Sequence, residues 1–317
     1  MKLSTTKGNG NMRTPTTDIS ANAPRRSVFT AFVAICLLIT LSPSSVRAKV
    51  DGSTIVLGAT VSLSGKYAIL GLHTKNGYDL AVSTINERGG VTVNGKPFKL
   101  RVTYYDDQSD PKLGAKLTEQ LIQDDGIKFM LGPYSSALTV AAAAVVEKFK
   151  IPMVQSNGAS QSIFSKNYKC IFGVLSTSDQ YLNHVIDLAV SLERKLGKNA
   201  KELTLALVVE NDPFSLDVRS GAIKRADNFN IKVLIDERFP TNYGDSSKIF
   251  KKIKNLDPTI LIVSGHSKGA IDAVRHIKDM KLDIPMIGMT HCEASKVITK
   301  FRTAAEGILV QRSGPRR

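Results

Sequence analysis

Tryptophan is missing altogether from the 317 residues, and aromatics of every kind make up 6% of them. One common stacking residue is thereby removed. No basic stretch interleaves with the aromatics that remain, so the pattern of a single-strand nucleic-acid binder is absent. Cysteine is scarce, with three, which excludes a small fold built on disulfides. The five histidines and three cysteines show no metal-ligand spacing. There is no P-loop, no G-x-G-x-x-G and no H-E-x-x-H, so no cofactor is expected. The longest apolar run, residues 28–41, covers 14 positions, where a membrane helix needs about 20. Acidic residues are outnumbered, 28 Asp and Glu against 43 Lys and Arg, for a net charge of +15. Alone, that excess would point to nucleic acid or an anionic membrane surface.

What remains is ordinary globular chemistry, 42% hydrophobic and 22% charged, and long enough for one large or two ordinary domains. The N-terminal stretch carries Arg25-Arg26, then the short apolar run, then Pro43 and Val46-Arg47-Ala48. This is the order of a secretory signal, assigned to 1–48, with an uncleaved anchor as the alternative. Arg25-Arg26-Ser27-Val28 is a partial twin-arginine pattern and does not choose an export route. Cleavage after Ala48 leaves 269 residues with a charge of +10. Cys170 and Cys292 remain, and no disulfide between them is expected. The mature chain is expected to be exported to the periplasm.

From Ser53 onward the chain alternates. Short apolar, β-branched runs predict buried strands at 54–61, 100–104, 127–131, 152–155, 203–209, 231–235, 259–263 and 285–289. Helical spacing between them predicts helices near 71–87, 110–124, 137–149, 179–196, 215–229, 246–255, 268–280 and 293–302. Asp110 as N-cap with Pro111 as first helical residue is a strong start signal. The expected class is α/β, with parallel sheets covered on both faces. Residues 156–179 interrupt the rhythm and are the expected crossing between two lobes.

Ligands of open α/β sheets sit beyond the carboxyl ends of the strands. Those ends read Ser62-Leu63-Ser64-Gly65, then Gly132-Pro133-Tyr134-Ser135-Ser136, then Ser156-Asn157-Gly158-Ala159-Ser160. Hydroxyls and helix N-terminal amides there suit a carboxylate. The same residues also serve as local caps and turns.

In this order the loops resemble the leucine/isoleucine/valine-binding family of periplasmic proteins, the solute receptors of ATP-driven (ABC) importers. The resemblance runs through Ile55-Val56-Leu57-Gly58, Asn76-Gly77, Ile85-Asn86-Glu87-Arg88-Gly89-Gly90-Val91 and Tyr105-Asp106-Asp107-Gln108-Ser109-Asp110-Pro111. It continues through the Gly132 and Ser156 loops, Ile151-Pro152 and Ala304-Ala305-Glu306-Gly307. It implies two Rossmann-like lobes, 49–168 and 169–310, that close on a small-molecule ligand and signal to a membrane permease. It further implies a monomer without nucleic acid or cofactor. Carried over by position, Ser136 and Ser160 would bind a ligand carboxylate with help from the Ala159 backbone. Leu70 falls where relatives often place an aromatic ring, and Phe214 and His266 fall at aromatic positions of the second lobe. Thr290 falls where amino-acid binders place an acid for the ligand's ammonium. Thr290 brings no charge, though Glu293 follows closely, so amides and aromatic acids stand beside amino acids as ligands. His266 and His291 are either partners for an acidic ligand or structural residues.

Gly265-His266-Ser267-Lys268-Gly269 also matches the G-x-S-x-G of a serine hydrolase, with Asp283 and His291 as order-compatible triad partners. Lys248, Lys251, Lys252 and Lys254 mark a solvated helix face or a contact for an acidic transporter loop. Residues 311–317 have no apolar period and carry +3. They read as an aberrant tail, from a frameshift or truncation, that leaves the first lobe incomplete and the product weakly stable.

Overall fold

The computed structural model describes residues 48–195, 199, 202–241, 246–292, 301 and 305–310. The expected leader (apart from Ala48), most of the helix expected at 293–302, Glu293, Ala304 and the tail 311–317 lie outside them.

The first sheet begins with β1 (Val50–Asp51) and β2 (Thr54–Val61), followed by α1 (Ala68–Glu87). Next come β3 (Val91–Val93), β4 (Lys96–Asp106), α2 (Pro111–Gln123) and β5 (Met130–Leu131). The half ends with α3 (Ser136–Phe149), β6 (Met153–Gln155), α4 (Gln161–Phe164) and β7 (Ile171–Gly173). The strand order is β3-β4-β2-β5-β6-β7, with β1 antiparallel against β2. All neighbours from β4 to β7 are parallel. Because β7 joins here, this sheet reaches Gly173, past residue 168.

A 3-10 turn (Ser178–Gln180) leads into α5 (Asn183–Lys195), β8 (Thr204–Glu210), α6 (Pro213–Asp227) and β9 (Lys232–Phe239). Then follow α7 (Ser247–Leu256), β10 (Ile260–Ser264), α8 (Ser267–Asp279), β11 (Met286–Met289) and β12 (Leu309–Val310). The second sheet is parallel throughout, in the order β12-β11-β10-β8-β9. Counting parallel strands in chain order, both sheets run second-first-third-fourth-fifth. Each therefore reverses direction between its first and third strands, opening a crevice at β2/β5 and another at β8/β10.

The helix starts follow local chemistry. Asp110 Oδ1 accepts from the backbone of Lys112 and Leu113, and Pro111 supplies a first-turn residue whose missing N–H costs nothing. Asp212-Pro213 repeats the device, with Asp212 Oδ1 accepting from Phe214 N and Ser215 N. That start precedes the expected position of 215. The strand expected at 100–104 begins at Lys96 because Val91–Val93 folds back on it through Asn94-Gly95, both at positive φ. Asn-Gly suits the left-handed turn that a twisted hairpin requires. The strand expected at 127–131 shortens because Ile127 N bonds Leu121 O at the end of α2 instead of entering the ladder.

Alternation along the second sheet builds two cores. Leu205, Leu207, Ile260 and Ile262 face α5 and α6 through Val185, Ile186, Val218 and Ala222. Ala206, Val208, Leu261 and Val263 face α7 and α8 through Phe250, Ile253, Val274 and Ile277. Each large side chain buried here contributes about 1.5–3 kcal/mol. The core of the first sheet is smaller, centred on Val56, Leu121, Ile127, Met130, Val146 and Met153. At its far edge the cross-strand neighbours Val154 and Phe172 remain exposed, at 44% and 51%. Cys170 and Cys292 form no disulfide.

Candidate functional site

The crevice of the first sheet is bordered by the loops after β2 and β5. The β2 loop is pinned by carboxylates. Asp106 Oδ1 accepts from Leu63 N and Ser64 N, and Ser62 Oγ donates to Asp107 Oδ1. Burial pushes the Asp107 carboxyl up against the opposing pull of Ser62 and Ser109. Ser109 Oγ donates to Ser64 O and accepts from Tyr67 N. The segment 105–111, so distinctive in sequence, thus shapes the loop that sets Tyr67. At the β5 loop, Ser135 adopts φ 75°, ψ 149°, a backbone region nearly confined to glycine. That strain, of order 1–3 kcal/mol, sits immediately before Ser136.

The structure gathers Ser136, Ala159 and Ser160. Ser136 Oγ accepts from Ala159 N at 3.1 Å and Ser160 N at 3.0 Å, with all three residues buried. Its own proton is left to donate elsewhere. Ser160 Oγ donates across to Asp217 Oδ2 of α6, 2.8 Å away, which also accepts from Gln161 N and Ser178 Oγ.

The crevice of the second sheet lies at Glu210, Asp212, Gly265 and His266, and the tyrosines of the first sheet project into it. Tyr134 Oη lies 2.8 Å from His266 Nδ1 and 3.0 Å from His291 Nε2. His291 Nδ1 faces the Gly265 carbonyl at 2.8 Å, so it must carry the proton. His291 Nε2 is then an acceptor, Tyr134 donates to it, and His266 Nδ1–H donates to Tyr134. Burial, and then the His266 charge, lower the His291 pKa to about 3, so this ring is neutral. His266 Nε2 points to Asp212 Oδ1 at 3.8 Å, an ion-pair distance longer than a hydrogen bond. Burial raises the Asp212 carboxyl, but the nearby His266 and the bonds from Ser215 prevail and hold it below the ordinary range. Burial and the charges of Glu210 and Asp212 push the Tyr67 phenol strongly up.

Rings complete the contact. Tyr67 meets His266 edge-on at 4.7 Å and Tyr134 at 5.4 Å, and Phe214 meets His291 at 5.7 Å. Leu70 packs on Tyr67 and Tyr134. It also borders a cavity of about 400 Å³ with His73, Tyr78, Tyr134 and Asn157. Ser136, Ala159 and Ser160 do not line that cavity. Thr290 is buried, and its hydroxyl bridges the backbone of Gly265, accepting from N and facing O. Tyr67, Tyr134, Glu210, Asp212 and Asp217 were not anticipated as a site. Tyr134 and Asp212 stood inside informative segments, a strand-end loop and an Asp-Pro cap.

The hydrolase arrangement is not assembled. Both nitrogens of His291 are engaged by Gly265 O and Tyr134 Oη, and Asp283 is exposed beside Lys281 and Leu282 at the opposite end of β11. Ser267 Oγ is buried with no hydrogen-bond partner. On the α7 face, Lys252 pairs with Glu237 and Lys254 donates to Met280 O. Among the described residues no helix is long and apolar enough to cross a membrane.

Residues 54–314 match the family model described as periplasmic binding protein. Among curated relatives, the Leu/Ile/Val-binding protein homolog 8 of Brucella abortus is 22% identical over 215 residues, 68% of this chain and 52% of the relative. The chain thus spans about half the length of that relative. Among solved structures, a branched-chain amino acid transporter substrate-binding protein from Streptococcus pneumoniae, in complex with isoleucine, superposes with a TM-score of 0.68. The match is 21% identical and covers 81% of this chain and 70% of that one. An ABC transporter solute-binding protein from R. palustris, in complex with 4-hydroxybenzoate, gives 0.65 at 21% identity, covering 80% and 65%. At such identities the likeness establishes the fold alone.

Proposed function

This chain belongs to the periplasmic binding protein family, a family of substrate-binding proteins rather than enzymes, and from that premise we propose that it serves as an extracytoplasmic receptor of an ABC importer. Its solute is a small carboxylate or amide, held between two lobes whose closure is read by a membrane permease. One observation carries the reading: the switch-point crevices of two sheets with the same strand order face each other, and Tyr134 reaches from one into His266 and His291 of the other. Ser136 offers its remaining proton to a carboxylate, with the Ala159–Ser160 backbone beside it. Phe214, His266 and the two tyrosines supply ring surfaces. Thr290 brings no charge for an ammonium, which favours an aromatic acid or amide over an α-amino acid.

A thermal-shift series with isoleucine, 4-hydroxybenzoate and a small aliphatic amide tests the proposal. A solute at 100 times its Kd adds about 2.7 kcal/mol of stability, a melting shift of several degrees. Ser136→Ala should weaken that binding. A cooperative melt unmoved by all three classes at millimolar concentration overturns the receptor reading.

A further inference from the structure

We propose that Glu210, Asp212 and His266 form a binding site for a single borderline divalent cation such as zinc, built into the second-sheet side of the crevice. The three side chains are 0%, 6% and 4% exposed, and each offers one ligand atom, all within 4.8 Å of one another. Two further observations point to a ligand. Asp212 Oδ2 and His266 Nε2 are both buried without a hydrogen-bond partner. Both groups are also held from behind. Asp212 Oδ1 is fixed by two helix N–H groups, and His266 Nδ1 is fixed by Tyr134 Oη, leaving Nε2 as the nitrogen turned toward the carboxylates. An outer hydrogen bond that sets the tautomer is the usual support of a metal-ligating histidine.

The donor set decides the class of ion. One imidazole with two carboxylates suits zinc and its neighbours, whereas magnesium and calcium prefer all-oxygen shells. Bonds of about 2.0–2.2 Å bring donors closer than their present spacing, a contraction within reach of small side-chain rotations. Because Tyr134 comes from the first sheet, the ion is coupled to lobe contact: it favours the tautomer that Tyr134 holds. This site goes beyond the receptor reading and does not rest on it.

The test uses the full chain stripped with EDTA and titrated with zinc chloride, with cobalt(II) as a spectroscopic stand-in. The expected result is one zinc per chain, an upward melting shift of several degrees, and a visible cobalt spectrum of nitrogen and oxygen ligation. Asp212→Asn, which keeps the helix cap, and His266→Gln should each weaken zinc binding at least 100-fold. Tyr134→Phe should weaken it about 10-fold through the lost outer bond. Zinc binding that these variants leave unchanged, or no saturable binding by the parent chain, overturns the proposal. So does a stripped protein stabilised by a primary-amine solute but not by zinc, which would assign the carboxylates to an ammonium. Should the two ligand variants fail to fold, stoichiometry, the cobalt spectrum and Tyr134→Phe still decide.

Discussion

Ser136→Ala removes one oxygen and strands two buried donors. The hydroxyl accepts from Ala159 N and Ser160 N, and the three residues are each 1% exposed. Water cannot replace the lost acceptor without opening the junction of α3 with the Ala159–Ser160 turn. An orphaned buried donor costs about 1–3 kcal/mol. Two of them, partly relieved by relaxation, give an expected loss of about 2–5 kcal/mol. Urea unfolding followed by far-UV circular dichroism is the suitable assay, since the sequence has no tryptophan to report by fluorescence. Ser83→Ala is the control, because its hydroxyl bonds Glu87 on an exposed helix face and should change stability by less than about 0.5 kcal/mol. A loss below 1 kcal/mol for Ser136→Ala, with an unchanged m-value, would show that the two amides have another acceptor and would refute the argument.

Three further outcomes follow from named contacts. Gly71→Ala places a Cβ 2.0 Å from the Ser62 carbonyl oxygen, a backbone atom that cannot swing aside, so the fold should lose about 3 kcal/mol or more, with a sharp fall in soluble yield and melting temperature. A near-normal melt would show that α1 can shift. Asp217→Ala removes the acceptor shared by Ser160, Gln161 and Ser178. At about 1–3 kcal/mol for charge-assisted bonds at a half-buried site, the open population of the proposed two-lobe motion should rise roughly tenfold or more in small-angle scattering. An unchanged radius of gyration contradicts this. His291 has a folded pKa below its unfolded value, so it stabilises the fold above pH 6.5. That stability is lost as pH falls from 6.5 toward about 3, at roughly 1.4 kcal/mol per unit. His291→Gln should flatten the drop in melting temperature between pH 7 and 5, and parallel curves would count against a desolvated neutral ring.

The sequence exposed its sheet architecture through signals that act over a few residues. Runs such as 54–61 and 259–263 are long enough to bury both faces, and Asp110-Pro111 marks a helix start by local bonding alone. Asn94-Gly95 and Asp212-Pro213 were equally local and went unread, which displaced one strand start and one helix start. The site was legible only as loops rich in hydroxyls. Tyr134 and His266 are 132 residues apart, and Ser160 and Asp217 are 57 apart. Those meetings depend on how two sheets oppose their crevices, which no periodicity encodes. The G-x-S-x-G match failed for the same reason: its serine, histidine and acid are spaced for a triad in sequence, but Gly265 O and Tyr134 claim the imidazole in three dimensions.

The side-chain hydrogen bonds described between the two sheet units join phenols, imidazoles and one shared carboxylate, while the large aliphatic clusters lie mostly on their own sides, with Ala159 of the first unit joining the second-sheet core. Parting the units therefore hydrates polar groups far more than hydrocarbon. Exposed hydrocarbon dominates the heat-capacity change and the urea slope of a transition. Opening should accordingly leave almost no calorimetric signature and respond weakly to denaturant. It should instead follow the proton and ion content of the solvent, so that the contact between the two sheets answers to pH and salt more than to temperature.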